Sequence, residues 1–278
     1  MSHMVPEAIG PAVLSAVLDD GLRVALGFAI GAFGTLIGAG GGFLLVPLLL
    51  LGYHFAPADA AGTSLSLVFL NALSGSLAYL RQRRVDLALG WKFAAATVPG
   101  AVGGAFLTRT LSAQRFGVAF GALLLAVAVL LFAGKTVAPS RRAGLRQLVD
   151  AAGGAHVYRV DAWKGVAVSF LVGIVSSVFG IGGGIIHVPF LIVALGLPVH
   201  VATATSHFVL SISALVGAGT FLTLGHVDLR TTALMGAGIL AGAQVGARIS
   251  VGADAARLRQ ILAGSLALVG ARMIVVAW

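Results

Sequence analysis

Two glycine runs carry the clearest hint of chemistry in this 278-residue sequence. Gly38-Ala-Gly40-Gly41-Gly42 and Gly180-Ile-Gly182-Gly183-Gly184 each interrupt a long apolar block, and a proline (Pro47, Pro189) follows each run five residues on. A break in a helix at membrane depth frees backbone N–H and C=O groups that lipid cannot satisfy, so it must line a cavity or lie buried in protein. Glycine lets the backbone turn sharply and lets a ligand come close. A helix restarting after the break aims free N–H groups and a positive dipole end at that cavity. The competing structural reading is close helix packing through small residues. Two breaks at corresponding positions of two halves, each with its proline, favour a transporter's binding site. Gly40, Gly41, Gly42, Gly182, Gly183 and Gly184 are therefore candidate binding residues. No Lys-Ser/Thr follows either run, so neither is a nucleotide phosphate loop.

Hydroxyls and imidazoles complete the candidate set. Thr63-Ser64 and Thr205-Ser206 each stand where an apolar block begins. There they can cap a helix, donate to an oxyanion, or do both. Asn71 and Ser213 lie two turns further in and either line the same cavity or bond across helices. His187 and His207 sit beside the second glycine run and the second Thr-Ser pair, where the first half has Leu45 and Leu65. That asymmetry suggests specialisation: anion donation, or proton uptake near neutral pH. The plainer alternative is a buried neutral imidazole bonded to a carbonyl. Gln244 and Arg248 are further candidates, with Arg248 read as snorkelling to the interface.

Acids are informative by their positions. All nine (Glu7, Asp19, Asp20, Asp59, Asp86, Asp150, Asp161, Asp228, Asp254) fall outside the middle of the apolar blocks. Cation sites and carboxylate proton relays draw on acids inside the membrane. The pattern disfavours a metal or sodium carrier and suits an anion held by backbone donors and hydroxyls. No metal and no cofactor is expected. Asp86 and Asp228 are read as caps, or as partners of Arg84 and His226.

Composition says where these residues must operate. Hydrophobic residues make up 59% of the chain and charged residues 10%, against roughly 25% charged in soluble domains. Apolar blocks of about 18 residues or more are long enough to span a hydrocarbon core. The net charge of +9 resides in short connections, as in cytoplasmic loops. With no basic stripe or aromatic platform, nucleic acid is not an expected partner; the bilayer and a small anion are. The sequence has no cysteine, which excludes disulfides and thiol chemistry.

The elements that position the candidates come twice. Gly38 answers Gly180 at an offset of 142 residues, and the same offset relates Pro47 to Pro189, Thr63-Ser64 to Thr205-Ser206, Val85-Asp86-Leu87 to Val227-Asp228-Leu229, and Arg115 to Arg257. The expected architecture is an all-α, polytopic transmembrane bundle of two homologous repeats. Each repeat has a Gly-broken first helix or hairpin, giving eight main spans and up to ten segments. Residues 1–21 form an N-terminal segment, with 5–18 read as a short interfacial helix closed by Asp19 and Asp20. Residues 22–134 form repeat 1, 135–162 a basic cytoplasmic linker with some helix of its own, and 163–278 repeat 2. Of ten loop charges, inverted halves place seven inside and parallel halves five, which favours inversion.

Taken together, the two glycine runs with their prolines, Ala60-Ala-Gly-Thr-Ser64, Ala202-Thr-Ala-Thr-Ser206 and the Val-Asp-Leu triplets resemble the sulfite exporter TauE/SafE family of membrane permeases over about residues 22–277. The resemblance implies movement of sulfur oxyanions, organosulfonates or related anions across the bacterial cytoplasmic membrane. It does not select one anion, and His207 is no part of the family pattern. The expected activity is secondary transport, with export favoured, by alternating access around a midplane site. A passive anion channel and a non-transporting scaffold are the alternatives, and an enzyme is not expected because no nucleophile has a positioned base. The sequence sets no oligomeric state.

Overall fold

The computed structural model describes residues 11–133 and 143–277. The chain folds as two successive sets of five helices separated by a β-hairpin. The first set is α1 (Pro11–Ile37), α2 (Gly42–Pro47, continued by a π-helical turn Leu48–Gly52), α3 (Pro57–Arg81), α4 (Leu87–Thr108) and α5 (Ala113–Ala133). The hairpin is β1 (Gly144–Val149) and β2 (Ala155–Val160). The second set is α6 (Ala162–Phe179), α7 (Gly184–Val193), α8 (Val199–Thr223), α9 (Leu229–Ile249) and α10 (Ala255–Ala277). Among the described residues, α3, α5, α6, α8, the Ser15–Ile37 part of α1 and the Ala256–Val276 part of α10 are long and apolar enough to cross a membrane. At 22 and 21 residues, α4 and α9 have the length, but four glycines in each dilute their hydropathy.

Helix pairing is reciprocal between the sets. α1 packs on α9 as α6 packs on α4, while α3 packs on α8 and α5 on α10. Glycines set the closeness of the first two pairs: a Cβ on Gly27, Gly31, Gly238, Gly242 or Gly246 would strike the facing backbone of α1 or α9, and one on Gly100, Gly104 or Gly173 the facing backbone of α4 or α6. With no hydrophobic drive between helices in lipid, close backbone approach supplies the packing energy. α3 and α8 run antiparallel. The start of α3 meets the end of α8, where Asp59 pairs with His226 at 2.7 Å, and the start of α8 meets the turn after α3, where Asp86 N donates to Thr205 Oγ1 at 3.0 Å.

Each first block is a hairpin. From Arg23, α1 descends to Ile37, the chain turns at the glycines, and α2 with its π turn climbs back until the Tyr53 ring lies 4.8 Å beneath the Arg23 guanidinium. In the second set, Leu195 just past α7 lies against Gly165 in the first turn of α6.

Three expectations need correcting. Residues from Pro11 onward belong to one continuous α1, so Asp19 and Asp20 do not close a separate helix; Asp19 pairs with Arg23 at 2.9 Å and Asp20 with Arg230 at 3.0 Å. The rest of the segment expected as an interfacial helix lies outside the described residues. The linker holds a β-hairpin rather than a helix, so the bundle is not purely α; its 135–142 portion also lies outside the described residues. Alternation across β2 buries Tyr158 and Val160 and exposes Val157, the signature of a half-buried strand. The Asp150 carboxylate closes the turn by accepting from Ala152 N and Gly154 N at 2.9 and 2.8 Å. Finally, the Thr-Ser pairs do not begin helices. Pro57 sits in the first turn of α3 and Pro198 caps α8, because proline suits a helix start whose N–H groups need no partner. Both pairs thus fall more than a turn inside.

Candidate functional site

The two glycine breaks meet at the centre of the bundle. Gly38, Gly40 and Gly41 have φ of 74, 75 and 78°, and Gly180, Gly182 and Gly183 have 68, 74 and 81°. These left-handed values at matched positions are what only glycine adopts without strain, and they turn each helix hairpin. A Cβ on Gly42 would sit 2.6 Å from Ile181 Cα, and one on Gly184 would sit 2.7 Å from the Gly38 carbonyl oxygen. Gly40 and Gly182 press between Val68 and Leu210 of α3 and α8. So Gly40–Gly42 and Gly182–Gly184 are brought together, and each serves packing as well as turning.

The Thr-Ser pairs tie the breaks to the helices. Ser64 Oγ donates to the Gly180 carbonyl at 2.8 Å, satisfying a group that the break leaves free. Its counterpart Ser206, 1% exposed, has no partner for its hydroxyl among the described residues. Thr63 Oγ1 accepts from Asp228 N at 2.9 Å as Thr205 Oγ1 accepts from Asp86 N. Asp86 and Asp228 cap α4 and α9 by accepting from Leu89 N and Thr231 N, as expected. Asp86 also takes Arg146 rather than Arg84, and His226 pairs with Asp59. Thr63 and Thr205 therefore fasten helix turns.

A small cavity lined by buried residues lies beside the start of α7. Its wall is Thr97, Val172, Gly182–Gly184, His187, Ser206, Val209, Leu210 and Ser213, around a volume of about 10 Å³, room for about one water. Two wall atoms are buried without partners, Ser206 Oγ and His187 Nδ1. The N–H groups that open α7, those of Gly184 and Ile185, have no intrahelical acceptor by helix geometry, whereas Ile186 N and His187 N donate to the Gly183 carbonyl at 3.1 and 2.8 Å. His187 Nε2 is 3.1 Å from Ser169 Oγ, which itself donates to the Gly165 carbonyl. A hydroxyl whose proton is committed can only accept, so the network assigns the proton to Nε2 and leaves Nδ1 a bare lone pair.

His207 belongs to a second polar cluster on the other side of the breaks. Its Nε2 lies 3.4 Å from Thr35 Oγ1, which donates to Asn71 Oδ1 at 2.6 Å. Tyr79 donates to the Thr35 carbonyl at 2.7 Å and meets the imidazole edge-on. Asn71 Nδ2 and His207 Nδ1 are buried without partners. Asn71 and Ser213 thus line different clusters rather than one cavity.

The halves differ sharply here. At the cavity, Thr97, His187 and Ser213 correspond to Ile239, Leu45 and Asn71; at the second cluster, His207 and Tyr79 correspond to Leu65 and Phe221. Sequence reasoning missed Thr97, Ser169, Thr35 and Tyr79. Setting the halves against each other position by position would have exposed Thr97 (facing Ile239) and Ser169 (facing Gly27). Gln244 donates to the Ser74 carbonyl and hydroxyl at 2.7 and 2.8 Å and serves as interhelical glue. Among the described residues no group of acids and histidines could hold a metal.

Comparison with known proteins gives a consistent result. The sequence profile described as Sulfite exporter TauE/SafE matches residues 23–273. The chain is 31% identical to the probable membrane transporter protein YunE of Bacillus subtilis, over 91% of this chain and 96% of that one. It is 26% identical to a probable membrane transporter protein of Methanocaldococcus jannaschii, over 91% and 94%. It is 33% identical to one of Xylella fastidiosa, over 70% and 69%. No solved structure matches.

Proposed function

The chain belongs to the sulfite exporter TauE/SafE family, and from that premise we propose that it is a secondary transporter of a small anion, sulfite or an organosulfonate, with export as its direction, in the bacterial cytoplasmic membrane. It is a multi-pass membrane protein related to transporters. One observation carries the finer reading: the cavity at the start of α7 gathers unpartnered buried polar atoms, Ser206 Oγ and His187 Nδ1, beside free helix-start N–H groups. Burying such groups without partners is costly, and an anion accepting from the Ser206 hydroxyl, the helix-start N–H groups and, once it is protonated, His187 Nδ1 offsets that cost. At about 10 Å³ the cavity is too small for sulfite. Binding therefore requires the site to widen.

Proton coupling follows from the tautomers. A neutral His187 turns a lone pair toward the cavity and repels an anion; adding a proton at Nδ1 makes a donor. Anion and proton then travel together. His207, with Asn71, contributes through the second cluster.

The two halves are inverted repeats, each a returning hairpin followed by three crossing helices, α4 and α9 among the crossings. Support comes from the antiparallel course of α3 and α8 and from the reciprocal helix pairing. The end carrying Arg81, Arg83, Arg84, Arg146, Arg159, Lys164, Arg257 and Arg259 faces the cytoplasm by the positive-inside rule. The opposite end carries Arg23, Arg109, Arg115 and Arg230.

The test is thermal stability of the purified protein in detergent against sulfite, sulfate, thiosulfate, sulfoacetate, taurine, acetate and chloride at constant ionic strength. A ligand that binds the folded state alone raises apparent stability with concentration. Selective stabilisation by one sulfur anion, lost in Ser206→Ala, is expected. Equal shifts with chloride and every sulfur anion, unchanged by Ser206→Ala, would overturn the site.

A further inference from the structure

The duplicated fold closes the bundle twice with the same contact. At one end Asp228 N donates to Thr63 Oγ1 at 2.9 Å, fastening the α8–α9 turn to α3. At the other end Asp86 N donates to Thr205 Oγ1 at 3.0 Å, fastening the α3–α4 turn to α8. Thr205 directly precedes Ser206, which lines the cavity. Repeat symmetry alone would make the two closures equal, and the β-hairpin, which has no counterpart in the repeats, makes them unequal.

The hairpin clamps one closure only. Arg146 of β1 engages both Asp86 carboxylate oxygens, one of them at 2.7 Å, and Tyr158 of β2 donates to Asp86 Oδ2 at 2.7 Å. Asp86 is 5% and Tyr158 5% exposed. Ala151 N, at the hairpin turn, donates to the Gln82 carbonyl at 2.9 Å, and Arg84 lies 3.9 Å from Asp150. The carboxylate is buried and the guanidinium one-third exposed; a two-pronged guanidinium–carboxylate pair braced by a phenol is a strong and geometrically specific polar fastener. Among the described residues, the Asp228 carboxylate has only its cap bond to Thr231 N. Nearby His226–Asp59 is half open to solvent, beside a wide polar recess of about 440 Å³.

We propose that the β-hairpin is a lock on one of the two gates: Arg146 and Tyr158 position Asp86, and through it Thr205, so that the resting protein keeps the hairpin end shut while the opposite end opens readily. The proposal rests on the alternating-access reading. Releasing Arg146 from Asp86 is then the step that admits anion from the hairpin side. Arg146 and Tyr158 are positioning residues and touch no substrate.

The absence of cysteine makes a direct test available. Ser213→Cys places a thiol on the cavity wall, and a membrane-impermeant maleimide is offered from either face in spheroplasts and inside-out vesicles. Labelling from the hairpin face is expected to be slow with the lock intact and to rise about tenfold or more when Arg146→Ala is added, with no comparable rise from the other face. Arg146→Lys, which keeps the charge but loses the fork, falls between. If Arg146→Ala fails to fold, Tyr158→Phe removes one bond at constant shape and should give a smaller rise of the same sidedness. Unchanged labelling in a folded Arg146→Ala protein, or an equal rise from both faces, would overturn the lock. Labelling that behaves as expected in a protein moving no anion would instead remove the transport reading and leave the lock standing.

Discussion

Two serines at equivalent positions of the repeat have opposite jobs. Ser64 spends its hydroxyl on the Gly180 carbonyl, whereas Ser206 keeps its own free at the cavity. Ser64→Ala leaves a buried carbonyl short of a donor and should cost about 1–3 kcal/mol, read as a lower melting temperature with anion binding retained. Ser206→Ala should leave the melting temperature of the ligand-free protein nearly unchanged and remove stabilisation by the anion. If the two variants behave alike, the hydroxyl of Ser206 is structural. The imidazoles divide in a similar way. His187→Leu installs the residue that the first half already carries at Leu45, so the fold should hold. Anion uptake should fall and lose its dependence on pH, because no group remains to bring a proton to the cavity. A His187→Leu or His207→Ala protein whose uptake keeps its full pH profile would exclude that histidine from coupling.

Elements were legible to the extent that the bilayer forces their signals into the sequence. A hairpin turned inside the membrane needs left-handed backbone and tight approach, which only glycine supplies, so both breaks could be read directly. Two of the element starts could not. Ala58 to Gly62 are small and include the charged Asp59, so the apolar pattern suggests a helix beginning at Thr63, while Pro57 starts it. The hairpin of the linker has strands of six residues with one buried face, too short an alternation to outweigh its charge. Membership of the candidate cavity was legible only where the residue was conspicuous: His187 and Ser206 stand out in the sequence and line it, but single hydroxyls such as Thr97 and Ser169 look like any other helix serine or threonine until their neighbours are known. The packing reading of the glycines holds, their binding role is part of the proposal, and substitutions separate them from ordinary helix glycines. Gly42→Ala meets the Ile181 backbone at 2.6 Å, which cannot yield as a side chain would. Destabilisation of about 1–3 kcal/mol is expected, with lowered uptake. Gly103, with nothing within 4 Å of an added Cβ, is the comparison: Gly103→Ala should be neutral or stabilising by up to about 1 kcal/mol. Equal melting temperatures for the two variants would mean that the breaks do not touch as described.

For the whole molecule, the decisive part of the proposal is that the two halves face opposite ways. Loop charge hinted at this, since the richer connection switches place between repeats. The number of crossings per half decides it, because a half with a returning hairpin and three further helices has an odd number of net crossings and so must invert its successor. The geometry supports that count: Tyr53 comes back to Arg23, Leu195 comes back to Gly165, and α3 and α8 run antiparallel. It also fixes which loops share a face. His54, Asp59 and Gly225 stand at one end, around the recess of about 440 Å³, while Gln82, Ala151 and Ala152 stand at the other. In the cysteine-free background, Ala152→Cys and Gly225→Cys should therefore react with an impermeant maleimide from opposite faces of the membrane. The cationic end predicts that Ala152→Cys reacts from the cytoplasm. Reaction of both from one face would mean parallel halves, and no single midplane site could then be offered alternately to the two sides. Reaction from opposite faces with Ala152→Cys outside would keep the inversion, reverse the membrane orientation, and place the hairpin lock on the outer gate.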